Sequence, residues 1–200
     1  MQSLQLLTPS HHRRVPWKNG LGSTLEIATD AAEPGGPWTW RLSFADVPSR
    51  APFSVFPGVD RHLAVLDGAG MTLERADMRI AVPREGLAFT FAGEDEIIGV
   101  PTGSGVRDAN LMLDRTRWRG TLELMRLAAI RELDIDAGLS LIHLASGGES
   151  AECSFEDESL RLDADSTLLC PGRVRIRAAR GTLVIARIHA RPNSPIEGRP

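Results

Sequence analysis

Residues 62–70 read HLAVLDGAG, an apolar run that ends in a turn rich in glycine. Residues 140–148 read SLIHLASGG and repeat this pattern 78 positions later. Residues 158–171 likewise repeat the pattern of residues 78–91 at an offset of 80. Apolar runs of this length are typical of β-strands, and self-similarity at a fixed spacing indicates a repeated structural unit. The sequence therefore predicts two similar β units joined near residues 114–120.

Short segments bounded by Gly, Pro or Asp dominate the rest of the chain. The window 122–133 is compatible with a helix, but it lacks a capping box and lies among strands, so we predict a strand there. Frequent turns favour a sandwich or barrel. We predict an all-β duplicated barrel, with one barrel in residues 1–114 and the other in 115–191. The predicted strands are 24–27, 38–44, 62–66, 78–82, 87–91, 122–130, 139–145, 159–162, 167–170, 174–177 and 182–188.

Composition and charge narrow the classes of partner. The 200 residues are 42% hydrophobic and 24% charged, with a formal net charge of -3. This balance provides no field that would attract a polyanion, so we expect no nucleic-acid partner. No apolar run approaches the roughly 18 residues of a membrane span, and the first residues do not form an export signal. We therefore expect no membrane partner and a cytoplasmic location.

The cysteines and histidines do not form a metal-binding or redox pattern. Cys153 and Cys170 are isolated, and we expect both to be buried strand residues. The five histidines are scattered without the spacing of metal ligands. His143 and His189 lie in apolar segments, which favours hydrogen-bonded histidines over general bases. We expect no metal and no cofactor.

The stretch PWKNG at residues 16–20 has two readings. Trp17 offers a flat apolar ring with one N–H donor, Lys18 a cation, and Asn19 both a donor and an acceptor, on a turn made by glycine. Together these groups could hold a small polar anion. In the alternative reading, Trp17 covers the end of a barrel and Lys18 is solvated.

Polar residues also occur within strand-like segments. Alternation over 38–44 places Trp38, Trp40, Leu42 and Phe44 on one face and Arg41 and Ser43 on the other, which must face water or a cavity. A guanidinium in a barrel mouth is well shaped for a carboxylate, whereas a solvated outer face is the alternative.

Two further segments contribute candidates. A Pro-Gly turn precedes Arg61 and could aim it into a site, although Asp60 and Arg61 could also form a surface pair. Asp108 and Asn110 precede the apolar run 111–113, so they would need partners if they are buried.

These segments together resemble the HutD family, which includes the Ves proteins. The resemblance rests on PWKNG at 16–20, TLE at 24–26, WRLS at 40–43, FPGVDR at 56–61, and Asp108 with NLM at 110–112. It is close through roughly the first 115 residues, and the later half matches only in length and strand pattern. The family implies a cupin-type fold, a bicupin of RmlC-like jelly rolls. The usual metal-binding cupin motifs are absent, which agrees with a metal-free member.

The resemblance also implies a function in bacterial histidine utilisation. Family members are regulators expected to bind a pathway intermediate such as formylglutamate or urocanate. We carry over a ligand-binding set onto the matching positions, and assign its members ligand roles by their chemistry. Family members usually have glycine where this chain has Leu21, so the loop would close less freely. The predicted ligand-binding residues are Trp17, Lys18, Asn19, Arg41, Ser43, Arg61, Asp108 and Asn110.

Other functions stay open at this point. A cupin-type isomerase or epimerase would need an acid–base pair, for which Asp60, Asp108 and Glu26 are candidates, whereas we expect a protein that binds without catalysis. A structural interaction protein, a stress response and a homodimer also stay open. The tail 192–200 is left out of the fold prediction, because IEGR at 196–199 matches a protease site used in engineered fusions.

Overall fold

A computed structural model describes residues 4–17, 22–76 and 78–192. The predicted site residues Lys18 and Asn19, the loop position Leu21 and the tail from residue 193 lie outside the described residues. The described chain consists of strands, with one short 3₁₀ turn at Pro9–His11. The strands are β1 Gln5–Leu7, β2 Arg13–Pro16, β3 Ser23–Thr29, β4 Trp40–Val47, β5 Ala51–Pro52, β6 Val59–Gly68, β7 Met71–Arg75, β8 Met78–Ala81, β9 Gly86–Leu87, β10 Phe89–Ala92, β11 Ile98–Pro101, β12 Val106–Asp114, β13 Trp118–Leu127, β14 Arg131–Leu144, β15 Ala151–Phe155, β16 Glu158–Leu162, β17 Thr167–Ala178 and β18 Gly181–Ala190.

The strands form three sheets. The order is β10-β6-β12-β4-β3-β2 in a six-stranded sheet and β5-β11-β7-β8 in a four-stranded sheet. An eight-stranded sheet has the order β16-β15-β17-β14-β18-β13-β9, and β1 pairs with β17. The pairings between sheet strands are antiparallel. β1 and β9 come from the N-terminal half yet join the C-terminal sheet, and the division at residue 114 stays a prediction.

Three apolar clusters hold these layers together. One cluster includes Leu63, Val65 and Leu73 and lies between the six-stranded and four-stranded sheets. A second consists of residues of the eight-stranded sheet. The third includes Leu111 and Leu141 and packs the six-stranded sheet against the eight-stranded sheet. We call this third contact the seam. The six-stranded sheet is therefore covered on both faces, and most residues of its central strands β4, β6 and β12 are buried.

The all-β prediction is confirmed, and the segment 122–133 is strand instead of helix, as predicted. The predicted strand 122–130 ends early, because the chain bends at residues 128–130 between β13 and β14. The closure of the barrels differs from the prediction. Among the described residues, the hydrogen-bonded strands form open sheets that face one another. Side-chain packing between the sheets holds these layers together, so the strands need not close into a hydrogen-bonded barrel.

Strand β12 was not predicted. Its residues Asp108 and Asn110 interrupt the alternation of apolar and polar positions that marks a half-buried strand. Both faces of β12 are covered, since Leu111 packs at the seam and Met112 points to the other side. A strand buried on both faces carries no simple period-two signal.

The turn that follows β6 contains two glycines with positive φ, Gly68 and Gly70. Gly68 ends β6 with a φ of 102°, which side chains rarely adopt. A Cβ atom there would lie 2.8 Å from the carbonyl oxygen of Gly105. The turn from β6 to β7 therefore depends on Gly68 for both its backbone conformation and its packing.

Both cysteines are buried in the C-terminal cluster, as predicted. Burial raises the pKa of Cys153 to about 12 and that of Cys170 to about 11. We expect a thiol-reactive chromogenic disulfide to leave both thiols unmodified in native protein at pH 8 and to modify both in denaturant, because the attacking species is the thiolate. Modification of either thiol in native protein at the rate of a free thiol would contradict this prediction.

No helix in the described parts of the chain is long and apolar enough to cross a membrane.

Candidate ligand-binding site

A polar cluster lies on the inner face of the six-stranded sheet, the face toward the four-stranded sheet. Met112 pairs with Arg41 on one neighbouring strand and with Arg61 on the other. Two residues back, Asn110 pairs with Ser43 and Leu63. Paired residues in antiparallel strands project to the same side, and so do residues two positions apart. The inner polar cluster therefore consists of Arg41, Ser43, Arg61, Asp108 and Asn110.

Arg61 is a buried cation inside an aromatic cage. Its side chain lies at the start of β6, only 5% of the residue is exposed, and its guanidinium carbon lies 4.9 Å from the ring centre of Phe91 and 5.1 Å from that of Phe53. Nη1 donates a hydrogen bond to the carbonyl oxygen of Ser54 at 3.2 Å, whereas the buried Nε has no partner among the described residues. Burial lowers the pKa of Arg61 to about 10, partly offset by the nearby charge of Asp108. Arg61 therefore stays protonated at neutral pH, and no carboxylate in the described part of the chain bonds to it directly.

Arg41 supplies a second cation at the same cluster. Its guanidinium carbon lies 5.0 Å from the Trp38 ring centre and 5.7 Å from that of Phe56, which is also 5.7 Å from the guanidinium of Arg61. Nη2 donates to the sulfur of Met112 at 3.2 Å, and the buried Nε lacks a partner among the described residues. Burial lowers the pKa of Arg41, and the charge of Glu26 opposes this shift. The Phe56 ring thus lies under both guanidinium groups.

Asp108 provides the titratable carboxyl group of the cluster, and Asn110 provides an uncharged amide. Asp108 is 1% exposed, and one of its carboxyl oxygens is buried without a hydrogen-bond partner among the described residues. Burial raises the pKa of Asp108 to about 7, although the charge of Arg61 and a hydrogen bond from the backbone of Ala45 lower it. The side-chain oxygen of Asn110 is also buried and unpartnered among the residues that the structure describes.

Buried polar atoms in proteins nearly always have hydrogen-bond partners. In this cluster Arg41, Arg61, Asp108 and Asn110 each contain one buried polar atom without a partner among the described residues. Two of these groups are cationic donors, and the other two hold oxygen acceptors. A small molecule with a carboxylate and a hydrogen-bonding group could provide partners for all four atoms. The cluster is therefore suited to binding such a molecule.

Trp17 lies at the Asp108 end of the same face. Its Nε1 donates to the hydroxyl of Thr24 at 2.9 Å, and Thr24 pairs with Ala45 next to Asp108. The ring packs on Gly22, where an added Cβ would come within 2.9 Å of it. Trp17 therefore covers this end of the apolar cluster, and its role as a ligand contact stays a prediction.

The candidate acid–base residues separate into two groups. Glu26 pairs with Ser43 and faces the cluster, where it also forms an ion pair with Arg13 at 3.3 Å. Asp60 lies one position before Arg61 and so projects to the opposite face, where it accepts a 2.6 Å hydrogen bond from Arg115. Asp60 is therefore wrong as a pocket-facing candidate, because neighbouring strand residues alternate between faces.

The aromatic residues around the cations were missed by the sequence reasoning as members of the site. Trp38 was placed with Trp40 on an apolar face, but it precedes β4 and stacks on Arg41. Phe53, Phe56 and Phe91 approach Arg61 from a loop and from β10. The close spacing of Phe53 and Phe56 before Arg61 was an available signal, whereas the contribution of Phe91 depends on strand pairing.

An open cleft of about 400 Å³ adjoins Arg41. Its lining includes Trp38 and Phe56, which also contact Arg41, together with Val55 and Asp114. The cleft offers a mostly apolar surface near the cation, and the lining also includes the carboxylate of Asp114. It could accommodate a part of a ligand that extends past the two arginines.

Metal ligation has no support in the described ranges. No group of three or more His, Cys, Asp or Glu residues there is arranged to hold a metal ion. Ser43, which is 2% exposed, and Asn110 offer neutral oxygen and nitrogen atoms at the cluster. The groups present suit an organic anion better than a metal ion.

The model of the HutD family matches residues 9–185. This chain belongs to the HutD family. An uncharacterised 21.2 kDa protein in the hutC 3′ region of Pseudomonas putida is 39% identical over 176 residues, which cover 84% of this chain and 92% of that protein. The HutD match extends over both halves, beyond the first 115 residues in which the motifs concentrate.

Two solved structures share the fold. A conserved protein of unknown function from Pseudomonas aeruginosa PAO1 is 29% identical, with a TM-score of 0.83 over 94% of this chain and all of that one. HutD from Pseudomonas fluorescens SBW25, described in a formate condition, is 25% identical, with a TM-score of 0.74 and the same coverage.

A more distant neighbour places the fold in the wider class. Oxalate decarboxylase from Lactobacillus farciminis is 7% identical with a TM-score of 0.63, covering 94% of this chain and 86% of that one. At this identity the likeness concerns the fold alone. The predicted cupin-type class is confirmed.

Proposed function

We propose that this protein is a regulator of histidine utilisation that binds an anionic pathway intermediate, such as formylglutamate or urocanate, in the inner polar cluster. The observation that carries the proposal is Arg61, a buried cation with no direct carboxylate bond and with an Nε that is unpartnered among the described residues. Membership of the HutD family and the hutC-region name of the P. putida relative support the pathway.

The cluster suggests how such a ligand binds. Its carboxylate accepts hydrogen bonds from Arg61 and Arg41, whose guanidinium groups lie over the same Phe56 ring. The formamide N–H of formylglutamate or the ring N–H of urocanate donates to the side-chain oxygen of Asn110, and the protonated carboxyl of Asp108 donates to a ligand oxygen. The aromatic cage excludes water, which strengthens these interactions.

Calorimetric titration with formylglutamate, urocanate, glutamate and the diamide of formylglutamate, an amide that carries no charge, tests the proposal. We expect at least one carboxylate intermediate to bind and the uncharged amide to bind far more weakly. Arg41→Gln should weaken the binding about tenfold, because one charge-assisted hydrogen bond is lost from a half-buried position.

Arg177→Gln is the matched control for this change. Arg177 lies on the eight-stranded sheet and pairs at 3.3 Å with Glu152, away from the cluster. It should leave the affinity unchanged. Equal losses in both variants, or equal binding of the carboxylate and its amide, would contradict the proposal.

A catalytic function has one observation in its favour. Glu26 and Asp108 both face the cluster, and the carboxyl of Asp108 has a pKa of about 7, which suits proton transfer. An isomerase or epimerase would use these two groups on a bound anion. Turnover of a candidate intermediate by the purified protein, lost in Asp108→Asn, would replace the binding proposal with this one.

A further inference from the structure

A second cavity lies at one end of the seam, on the opposite face of the six-stranded sheet from the inner polar cluster. Its volume is about 300 Å³. Phe44 and His143 contribute from the two facing sheets, His12 from the N-terminal segment, and Arg107 and Asp165 from loops and strand ends. No function proposed above uses these residues.

The interior of the seam cavity is lined by rings. The His143 residue is 2% exposed, and its Nδ1 shares a 2.9 Å hydrogen bond with the hydroxyl of Thr167. The Phe44 ring meets it edge-on at 4.8 Å, and the His12 ring lies 6.0 Å away. Burial lowers the pKa of both histidines, that of His143 to about 3, so both imidazoles are neutral at pH 7. Nε2 of His12 is buried and has no partner among the described residues.

Opposite charges flank these neutral rings. Arg107 donates through Nε to Asp46 at 2.7 Å, and no hydrogen bond from its terminal nitrogens occurs within the described ranges. One carboxylate oxygen of Asp165 accepts a 2.6 Å hydrogen bond from Ser146. Asp165 also interacts electrostatically with Arg107 and both histidines. A cation and an anion are thus both available at the lining of one small cavity.

This combination selects a class of ligand. His12, His143 and Asp165 are not arranged to hold a metal ion in the described structure. A simple anion would meet Asp165, and a simple cation would meet Arg107, whereas a zwitterion satisfies both. Since a water molecule takes about 30 Å³ of liquid volume, the cavity has room for a molecule of about ten non-hydrogen atoms.

We propose that the seam cavity binds a free α-amino acid with a planar, hydrogen-bonding side chain. The carboxylate of the ligand contacts Arg107, its ammonium group contacts Asp165, and its side chain lies among the rings of Phe44, His12 and His143. Nε2 of His12 pairs with the polar atom of that side chain. This site is separate from the inner polar cluster and goes beyond the proposed function.

The test begins with ligand analogues on the unmodified protein. Calorimetric titration at pH 7.5 uses L-histidine, L-asparagine, L-glutamine and L-phenylalanine, followed by histamine and N-acetyl-L-histidine. We expect L-histidine to bind more tightly than L-phenylalanine. Histamine lacks the carboxylate and N-acetyl-L-histidine lacks the ammonium group, so each should bind at least about tenfold more weakly. No binding by any of the four amino acids, or equal binding of histamine, would overturn the proposal.

Variants then locate the binding. Asp165→Asn and Arg107→Gln should each weaken the binding of L-histidine at least about tenfold, whereas Arg61→Gln should leave it unchanged. Arg107→Gln also removes the contact with Asp46. If Arg107→Gln loses stability for this reason, Asp165→Asn is the decisive variant. Unchanged binding in Asp165→Asn would overturn the proposal. Loss in Arg61→Gln alone would place the amino acid in the inner polar cluster and overturn it too.

Discussion

Replacing Arg61 by glutamine will abolish the thermal stabilisation that an anionic ligand such as formylglutamate provides. The buried guanidinium is the most enclosed cation of the described cluster, and its Nε has no partner among the described residues, so it can donate to a carboxylate. Removing a buried charge that pairs with a ligand costs several kcal/mol of binding, so affinity should fall at least about a hundredfold. Thermal shift and calorimetric titration measure this loss.

Replacement of Arg61 should not lower the stability of the unliganded protein, in contrast to its effect on ligand affinity. Burial lowers the pKa of Arg61 to about 10, which means that the fold carries a cost for keeping this cation. Arg61→Gln and Arg61→Met should therefore leave the free energy of unfolding unchanged or raise it. Methionine is the second variant because it fills the space among the aromatic rings without charge. A loss of stability in both variants that matches the loss of ligand stabilisation would show that Arg61 is structural.

Asp108→Asn will remove a large part of the pH dependence of stability between about pH 4 and pH 7. The pKa of Asp108 rises from 3.8 to about 7 in the folded protein, mainly through burial. Between these values the native state holds a proton that the unfolded chain has released. Stability is therefore highest at the acid end of this window and falls as pH rises through it. At about 1.4 kcal/mol for each pKa unit, the fall approaches about 4 kcal/mol.

Urea unfolding of both proteins from pH 4.5 to pH 8.5 measures this difference. The amide that Asp108→Asn introduces cannot ionise, so the difference in unfolding free energy between variant and parent should grow toward high pH in favour of the variant. A difference that stays constant across the range, or that grows toward low pH, would contradict the raised pKa. Asp134→Asn is the control, since Asp134 is a half-exposed residue on β14 in contact with Arg175.

The proton on the carboxyl group of Asp108 also makes ligand affinity depend on pH. An anion bound beside Asp108 disfavours its ionised form, so binding takes up a proton and weakens as pH rises above about 7. Calorimetry of a bound carboxylate in Asp108→Asn should show little change over this range. This behaviour would make the protein a better binder of its anion in slightly acidic conditions.

The sequence predicted most of the residues that belong to the site, but it did not predict how their side chains are arranged relative to one another. The motifs around Arg41, Arg61, Asp108 and Asn110 were visible as polar groups in strand-like or turn-like segments, and the structure brings these groups onto one face. The choice between solvent and interior for Arg41 and Ser43 was open. It depended on whether another layer covers that face, and the four-stranded sheet does.

Residues that act through the tertiary structure were missed for a consistent reason. Phe91 joins the cage of Arg61 because β10 pairs with β6. Trp38 can stack on Arg41 because β4 begins only at residue 40, so Trp38 does not follow the alternation of that strand. The seam cavity combines residues from positions 12, 44, 107, 143 and 165, whose proximity leaves no trace in local sequence.

The amino-acid sequence alone determined the all-β class, the glycine turns and the chemical types available for binding, because period-two alternation and turn residues act over a few neighbouring positions. The tertiary structure alone decided that β12 is a central strand, that Asp60 and Arg61 face opposite sides, and that two cations share one aromatic ring. Those outcomes depend on the register between strands far apart in the chain. Register is set by how apolar faces pack between layers, and this is a property of the assembled sheets.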